Sequence, residues 1–101
     1  MLRNITRSYE DSKDNSASMD IEILDIENAD IDNQKGILEK IIGNKNIDFI
    51  TVVNNNIKGR VRIYKKSAVK KLRRIKDTLI KEGFQYGKEE IQGDGTTYGF
   101  K

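Results

Sequence analysis

Residues 57–64 have the sequence IKGRVRIY, in which apolar and cationic side chains alternate. Successive side chains of a β-strand point to opposite faces, so the alternation predicts a strand with one apolar and one basic face. The side chains expected on the basic face are Lys58, Arg60, Arg62, Tyr64 and Lys66, and those expected in the core are Ile57, Val61 and Ile63. This stretch therefore predicts both a sheet and a basic surface.

The residues on either side extend this strand into a larger unit. Residues 48–53 are rich in β-branched side chains and predict a strand, and Asn54-Asn55-Asn56 predicts the turn of a hairpin because Asn tolerates left-handed backbone. After the hairpin, Ser67 is expected to cap a helix over residues 68–82, with an apolar stripe at helical spacing and Gly83 at its end.

The remaining segments complete an α+β pattern. A strand is predicted over residues 21–26, a helix capped by Asp32 over 33–43, and a second hairpin or a final strand over 85–101 around Gly93-Asp94-Gly95. The order β-α-β-β-α-β fits two architectures. One is a small winged-helix-like domain whose wing is the basic hairpin, and the other is a ferredoxin-like βαββαβ sandwich.

The first 19 residues are predicted to lie outside this domain. Residues 8–20 are almost all small or charged and offer too little apolar surface to offset the entropy of ordering. We therefore expect a flexible arm and linker over 1–19, and a folded DNA-binding domain over 20–101. Arg3 and Arg7 of the arm could enter a minor groove, although functionless termini are common.

Composition argues against most kinds of catalytic site. The chain has no Cys and no His, which excludes thiol catalysis and the commonest general base. An acidic run between Asp20 and Asp32 is interpreted as a solvated face, and Gly93-Asp94-Gly95 lacks the Lys and Ser/Thr of a phosphate loop. We predict a protein that is not an enzyme and has no metal or cofactor. No signal peptide or membrane span is visible, so a cytoplasmic protein with no membrane partner is expected.

Charge is distributed unevenly along the chain. Residues 1–50 carry six basic and eleven acidic side chains, whereas residues 51–101 carry thirteen basic and five acidic ones. Between Lys58 and Lys76 there are ten cations and no acid. Such separation indicates a polyanionic partner, with a solvated edge strand and an ordinary amphipathic helix as the plain alternatives.

Individual roles in nucleic-acid binding follow from this distribution. Arg60 and Arg62 are predicted to contact bases, because Arg makes bidentate contacts with guanine in a major groove that admits a two-stranded ribbon. Lys58 and Gly59 begin like the ribonucleoprotein motif, but Arg60 and Arg62 occupy the positions of its stacking aromatics, which favours duplex DNA. The other candidate contacts are Lys58, Tyr64, Lys65, Lys66, Lys70, Arg74 and Asn55, together with Arg3 and Arg7.

The basic hairpin over 54–66, the helix over 67–83 and the short basic N-terminus resemble the small winged-helix accessory proteins that bind the origin of transfer on Gram-positive conjugative plasmids (TcpK type). The resemblance implies a homodimer within a relaxosome, whose wing contacts the major groove through positions matching Lys58, Arg60 and Arg62. It also implies a relaxase or other transfer proteins as partners.

The sequence-based prediction is therefore a sequence-specific duplex DNA-binding protein of a mobile element. The alternatives are a small phage or plasmid interaction or inhibitor protein, and an RNA-binding ferredoxin-like module.

Overall fold

Six strands form one sheet, and two helices pack on one face of it. The computed structural model describes residues 1–92 and 97–99 and places the side chains of residues 1–86. The elements in chain order are β1 (Leu2–Asp11), β2 (Ser16–Leu24), α1 (Ile31–Ile42), β3 (Ile47–Val53), β4 (Asn56–Tyr64), α2 (Ala68–Lys81), β5 (Gln85–Gln92) and β6 (Thr97–Gly99). The predicted α+β class is confirmed.

The first hairpin lies in the middle of the sheet. The prediction of a flexible arm over residues 1–19 is wrong, because β1 and β2 pair along their length and β1 also pairs in parallel with β5. Ile5, Ala17 and Met19 are almost fully buried. These few buried side chains are enough to order the hairpin, because β4 and β5 pair with its two outer edges and complete its hydrogen bonding. The predicted domain boundary at residue 20 falls inside β2.

The strand order is β3-β4-β2-β1-β5-β6. The β3–β4 hairpin is present as predicted, and its turn is formed by Asn54 and Asn55, which have φ values of 50° and 66°. However, β4 also pairs with β2 along the whole stretch from Ile57 to Tyr64. The hairpin is therefore part of a wide sheet and does not project as a free wing.

Alternating burial separates the two faces of the sheet. In β4, Ile57, Val61 and Ile63 are at most 2% exposed, and they join Leu38 of α1 and Leu72 of α2 in one core. Both helices thus cover the same face, as the alternation in residues 57–64 predicts. The opposite side, which we call the open face, has no helix packed on it among the described residues and carries the polar and charged side chains.

The helix boundaries agree closely with expectation, but their caps do not. Helix α1 begins at Ile31, so Asp32 lies in its first turn instead of capping it. Ser67 precedes α2 as predicted, yet it has a φ of 66° and its side chain makes no capping hydrogen bond. Gly43 and Gly83 end the helices with φ values of 85° and 99°, which glycine adopts without strain.

The C-terminal segment also forms strands. Strands β5 and β6 pair antiparallel, as a second hairpin requires, while the Gly93–Gly95 loop falls outside the described residues. Within the described part of the chain, neither helix has the length and apolar character that crossing a bilayer requires.

Candidate nucleic-acid interface

Strand β4 places a row of cations on the open face. Lys58, Arg60 and Arg62 alternate with the buried residues as predicted, and Tyr64 ends the row with 69% of its surface exposed. Lys66 does not share this face, because β4 ends at Tyr64 and the chain turns toward α2. Gly59 lies where strands β3 and β4 approach closely, since a Cβ there would stand 3.2 Å from the backbone oxygen of Phe49.

Arg60 is held in place by β2 and β3. Its Nε donates to Oδ1 of Asp20 at 2.7 Å, and its guanidinium lies 5.3 Å from the centre of the Phe49 ring. The hydrogen bond to Asp20, and then the charge of that carboxylate, raise the pKa of Arg60 above its ordinary value. Arg60 is thus a cross-strand linker, and contacting a base would require breaking this pair. The prediction that it is available for base contacts is not supported by this geometry.

The other two cations of β4 also face carboxylates. Lys58 lies opposite Glu22 in the register of β2 and β4. The Nη2 atom of Arg62 lies 3.6 Å from Oδ2 of Asp48, and 58% of the Arg62 side chain is exposed. Because this pair is long and exposed, Arg62 is less constrained than Arg60. The β4 row is therefore largely offset by neighbouring acids, with Arg62 as its most available member.

The two arginines of β1 lie on opposite faces of the sheet. A β-bulge between Ile5 and Arg7 shifts the register. Arg3 lies on the helix side, where its Nη2 donates to Oε1 of Gln34 at 3.3 Å. Arg7 lies on the open face and lines a shallow depression together with Arg60 and Arg62. The prediction that both belong to a mobile arm is wrong, and Arg7 is the one that joins the β4 row.

Asn55 has a structural role at the hairpin tip. Its side-chain amide donates to the backbone oxygen of Ile26 at 2.8 Å, and its own backbone oxygen accepts from the N–H of Ile26 at 2.9 Å. These bonds tie the β3–β4 turn to the chain after β2. Asn55 is therefore committed to the fold, contrary to its predicted place among the DNA contacts.

Two cations of α2 are tied to the sheet. Arg73 donates from Nε and Nη2 to the carboxylate of Glu10 at 2.9 and 2.7 Å, and the side chain of Glu10 is only 2% exposed. Lys76 is nearly buried, and its Nζ lies 3.2 Å from the hydroxyl oxygen of Tyr86 and 4.5 Å from the ring centre. Neither contact was predicted. The strand β1 that carries Glu10 was interpreted as a linker, and the position of Tyr86 in β5 beside α2 follows from the tertiary fold.

A third set of cations comes from the end of β4, the first two turns of α2 and the turn before β3. We call this surface the basic end and define it as Lys45, Lys65, Lys66, Lys70, Lys71 and Arg74. The neighbouring Lys71 lowers the pKa of Lys65, first because a neutral Lys65 amine can accept a hydrogen bond from Lys71 and then because the two ammonium groups carry like charge. Lys45 also interacts with Lys65 but raises that pKa, so the lowering is due chiefly to Lys71. Among the described residues, no carboxylate lies within 4.0 Å of the charged atoms of the basic end.

Of the predicted phosphate contacts, Lys65, Lys66 and Lys70 belong to the basic end, as does the candidate contact Arg74, whereas Lys58 lies on β4 and Lys45 was missed. Lys45 comes from the turn before β3 and reaches Lys65 because Ile47 pairs with Val61. A pairing register of this kind leaves no local signal in the sequence. Crowded like charges destabilise one another unless counter-charge is supplied. The basic end is therefore suited to bind an anion with several charges.

The acidic run between Asp20 and Asp32 is divided by the fold. Asp20 pairs with Arg60, Glu22 accepts from the side chain of Asn4 at 2.9 Å, and Asp30 accepts from Asn33 and Gln34. In the part of the chain that the structure describes, no three acidic side chains converge as metal ligands would.

Comparison with known proteins finds no relative of this chain. The chain matches no family model, no curated protein and no solved structure.

Proposed function

We propose that the protein binds double-stranded DNA through the phosphates that meet the basic end. The observation that carries the proposal is the set of six cations without a carboxylate partner among the described residues. Each phosphate that a Lys or Arg neutralises releases a condensed counterion, so such a surface gains affinity from the DNA backbone. The lowered pKa of Lys65 beside Lys71 supports an anion there, because phosphate would relieve the repulsion.

A rigid duplex fits this surface better than a single strand. Single-strand binders stack bases on free aromatic faces. On the open face, the guanidinium of Arg60 lies over one side of the Phe49 ring, and the exposed Tyr64 donates its hydroxyl to Asp14 at 3.4 Å, so these two rings do not form a row of free stacking faces. A duplex instead needs cations that follow its backbone, and Lys70 and Arg74, one helical turn apart on α2, supply two such cations after Lys65 and Lys66.

Contacts that depend on base sequence are assigned next to the basic end. A major groove about 12 Å wide admits a two-stranded ribbon, but β4 is bordered by β2 as well as β3. Insertion of the whole hairpin is therefore disfavoured. Arg62, which lines a depression with Lys45 and Lys65, can contact an approaching base edge while the lysines hold phosphates. We assign Arg62 as the principal base-contacting residue.

The biological setting remains part of the proposal. The resemblance to origin-of-transfer accessory proteins favours a mobile element and a cytoplasmic location. It implies DNA contacts through a wing, whereas we assign the principal DNA contacts to the basic end. A duplex carrying an origin of transfer is accordingly the first specific DNA to test. Selection from a random duplex library would identify the preferred site without assuming that origin.

The test is a salt titration of binding to a random-sequence duplex, followed by fluorescence anisotropy. If about five or six phosphates are contacted, the slope of log affinity against log salt is expected to be about −4 to −6. The triple variant Lys65→Gln, Lys66→Gln and Lys70→Gln should flatten this slope by about three units and lower affinity roughly 100- to 1,000-fold near 0.1 M salt.

A matched control separates local contacts from net charge. The triple variant Lys13→Gln, Lys40→Gln and Lys81→Gln removes the same charge from exposed positions outside the basic end, and it should keep most of the slope. Equal losses in the two triple variants, or a slope near zero for the parent protein, would refute binding through the basic end.

A further inference from the structure

Strand β3 forms one edge of the sheet and lacks the usual protection of an edge. No strand among the described residues pairs with its outer side, and Asp48 is its single charged residue. Phe49 is 40%, Val52 39% and Val53 57% exposed. Natural proteins protect such edges with lysine, proline, bulges or a covering segment. The irregularity in β3 lies between Ile47 and Phe49, which leaves the stretch from Phe49 to Val53 regular and open.

The turn determines which backbone groups this edge presents. Asn54 and Asn55 both have positive φ, as in the two-residue turns that close hairpins, and Val53 pairs with Asn56 across the turn. Antiparallel pairs alternate between hydrogen-bonded and non-hydrogen-bonded positions. If Val53 and Asn56 form a hydrogen-bonded pair, Ile50 and Val52 direct their N–H and C=O groups away from β4. The edge thus offers two donors and two acceptors to another strand.

We propose that β3 pairs antiparallel with β3 of a second copy of this chain, about a two-fold axis through Thr51. In this register Ile50 lies opposite Val52 of the second copy, and their outward backbone groups form hydrogen bonds. On the open face Phe49 lies beside Val53 of the second copy. Thr51 meets its own copy at a non-hydrogen-bonded position, and Thr pairs across strands are favourable. A two-fold axis makes every contact occur twice, as in most homodimers.

The residues of the edge favour a second copy over another partner. Like charges directly opposite each other destabilise a pair of strands, and in this register Asp48 lies opposite Asn54 of the second copy instead of its own equivalent. Phe49, Thr51 and Val53 also line a depression of about 400 Å³ on the open face. In the dimer, Val53 of each copy lies against the depression of the other copy. One pairing therefore brings Phe49 and Val53 of both chains into contact.

The pairing has a geometric consequence for the open face. A two-fold axis normal to the sheet leaves both open faces on the same side and joins the two sheets into one. Each β4 is then separated from the other by two β3 strands, or about 14 Å at the usual strand spacing. The proposal concerns association of the protein alone, so it stands or falls independently of DNA binding.

The test uses the absence of cysteine from the chain. In Thr51→Cys, the new thiol is the only one in each copy, and Cβ atoms at a non-hydrogen-bonded pair are close enough for a disulfide. We expect this variant to form a covalent dimer under mild oxidation much faster than Lys40→Cys, which places a thiol on the exposed side of α1. Cross-linking of Thr51→Cys at the rate of Lys40→Cys would overturn the proposal.

Sedimentation equilibrium without nucleic acid supplies a second readout. The parent should sediment as two copies at about 0.1 mM, a concentration at which a micromolar dimer is almost fully formed. Val52→Lys, which adds a charge at the edge, should sediment as one copy while its circular dichroism stays that of the parent. A monomeric parent, or a Val52→Lys protein that is folded and still dimeric, would overturn the assignment. If Val52→Lys does not fold, the cross-linking comparison decides.

Discussion

Strand β4 and the basic end are adjacent in the chain and carry the same sign of charge, but they meet different neighbours. In β4, Arg60 contacts Asp20, its partner in the register of β2, at 2.7 Å, and Arg62 lies 3.6 Å from Asp48 at the irregularity of β3. At the basic end, Lys65 lies beside Lys71 and Lys45, and its pKa is lowered by Lys71. Pairing register thus divides one run of cations into a part that stabilises the sheet and a part that can bind an anion.

The same division occurs within α2. Arg73 and Arg74 are consecutive in the sequence, yet Arg73 is paired with Glu10 while Arg74 is exposed and has no carboxylate within ion-pair distance among the described residues. A helix rotates its side chains by about 100° per residue, so adjacent arginines point in different directions. These two residues therefore give a direct comparison of a structural cation and an available one.

The largest expected effect on stability concerns the Arg73–Glu10 pair. Arg73→Gln removes two hydrogen bonds from a carboxylate that is only 2% exposed, and it should lower the free energy of unfolding by about 2 kcal/mol. Arg74→Gln removes the same charge and should change stability by less than about 0.5 kcal/mol. Urea unfolding monitored by circular dichroism measures both. Equal stability of the two variants would show that the Glu10 pair does not hold β1 to α2.

The β1–β2 hairpin, which carries Glu10, was difficult to predict from the sequence. Ser8, Ser16 and Ser18 have side chains with little preference for a packed core, and their composition resembles that of a linker. The strands form because β4 and β5 supply pairing on both sides, which no local pattern reveals. By contrast, residues 57–64 carry a strict alternation, and the faces of β4 were predicted residue by residue.

The candidate site was predictable to a similar extent. The positions of Lys65, Lys66 and Lys70 follow from the local sequence, because they come directly after a well-defined strand. The pairing of Arg60 with Asp20 joins residues 40 positions apart, and it depends on the register of β2 against β4. Charge sign is thus visible in the sequence, whereas the availability of each charge depends on long-range pairing.

An intermediate effect is expected from the two arginines of β4. If Arg62 contacts a base, Arg62→Ala should weaken binding to a preferred duplex by about 1–3 kcal/mol and affect a random duplex much less. Arg60→Ala should leave both affinities within about twofold and lower stability by about 0.5–1 kcal/mol, since the Asp20 pair is partly exposed.

Anisotropy with a selected and a random duplex, together with urea unfolding, separates these two roles. A larger loss of specific affinity in Arg60→Ala than in Arg62→Ala would reverse the assignment. It would show that the pair with Asp20 opens when DNA binds.

The smallest expected effect concerns the ionisation of Lys65. Its pKa is lowered, first because the neutral Lys65 amine can accept a hydrogen bond from Lys71 and then by the like charge of that lysine, so Lys71→Gln should raise the pKa toward its ordinary value. A lysine whose pKa is lower in the folded than in the unfolded protein destabilises the fold while it is charged, and this cost is relieved as pH rises through the lowered pKa. Between pH 7 and the ordinary lysine pKa near 10.4, the parent should therefore gain slightly more stability than Lys71→Gln.

Titration of the side-chain resonances of Lys65 by NMR measures the shift directly, with Lys81→Gln as the control for loss of one charge. An unchanged pKa in Lys71→Gln would mean that the two ammonium groups do not repel each other, and would remove the crowding argument for an anion at the basic end.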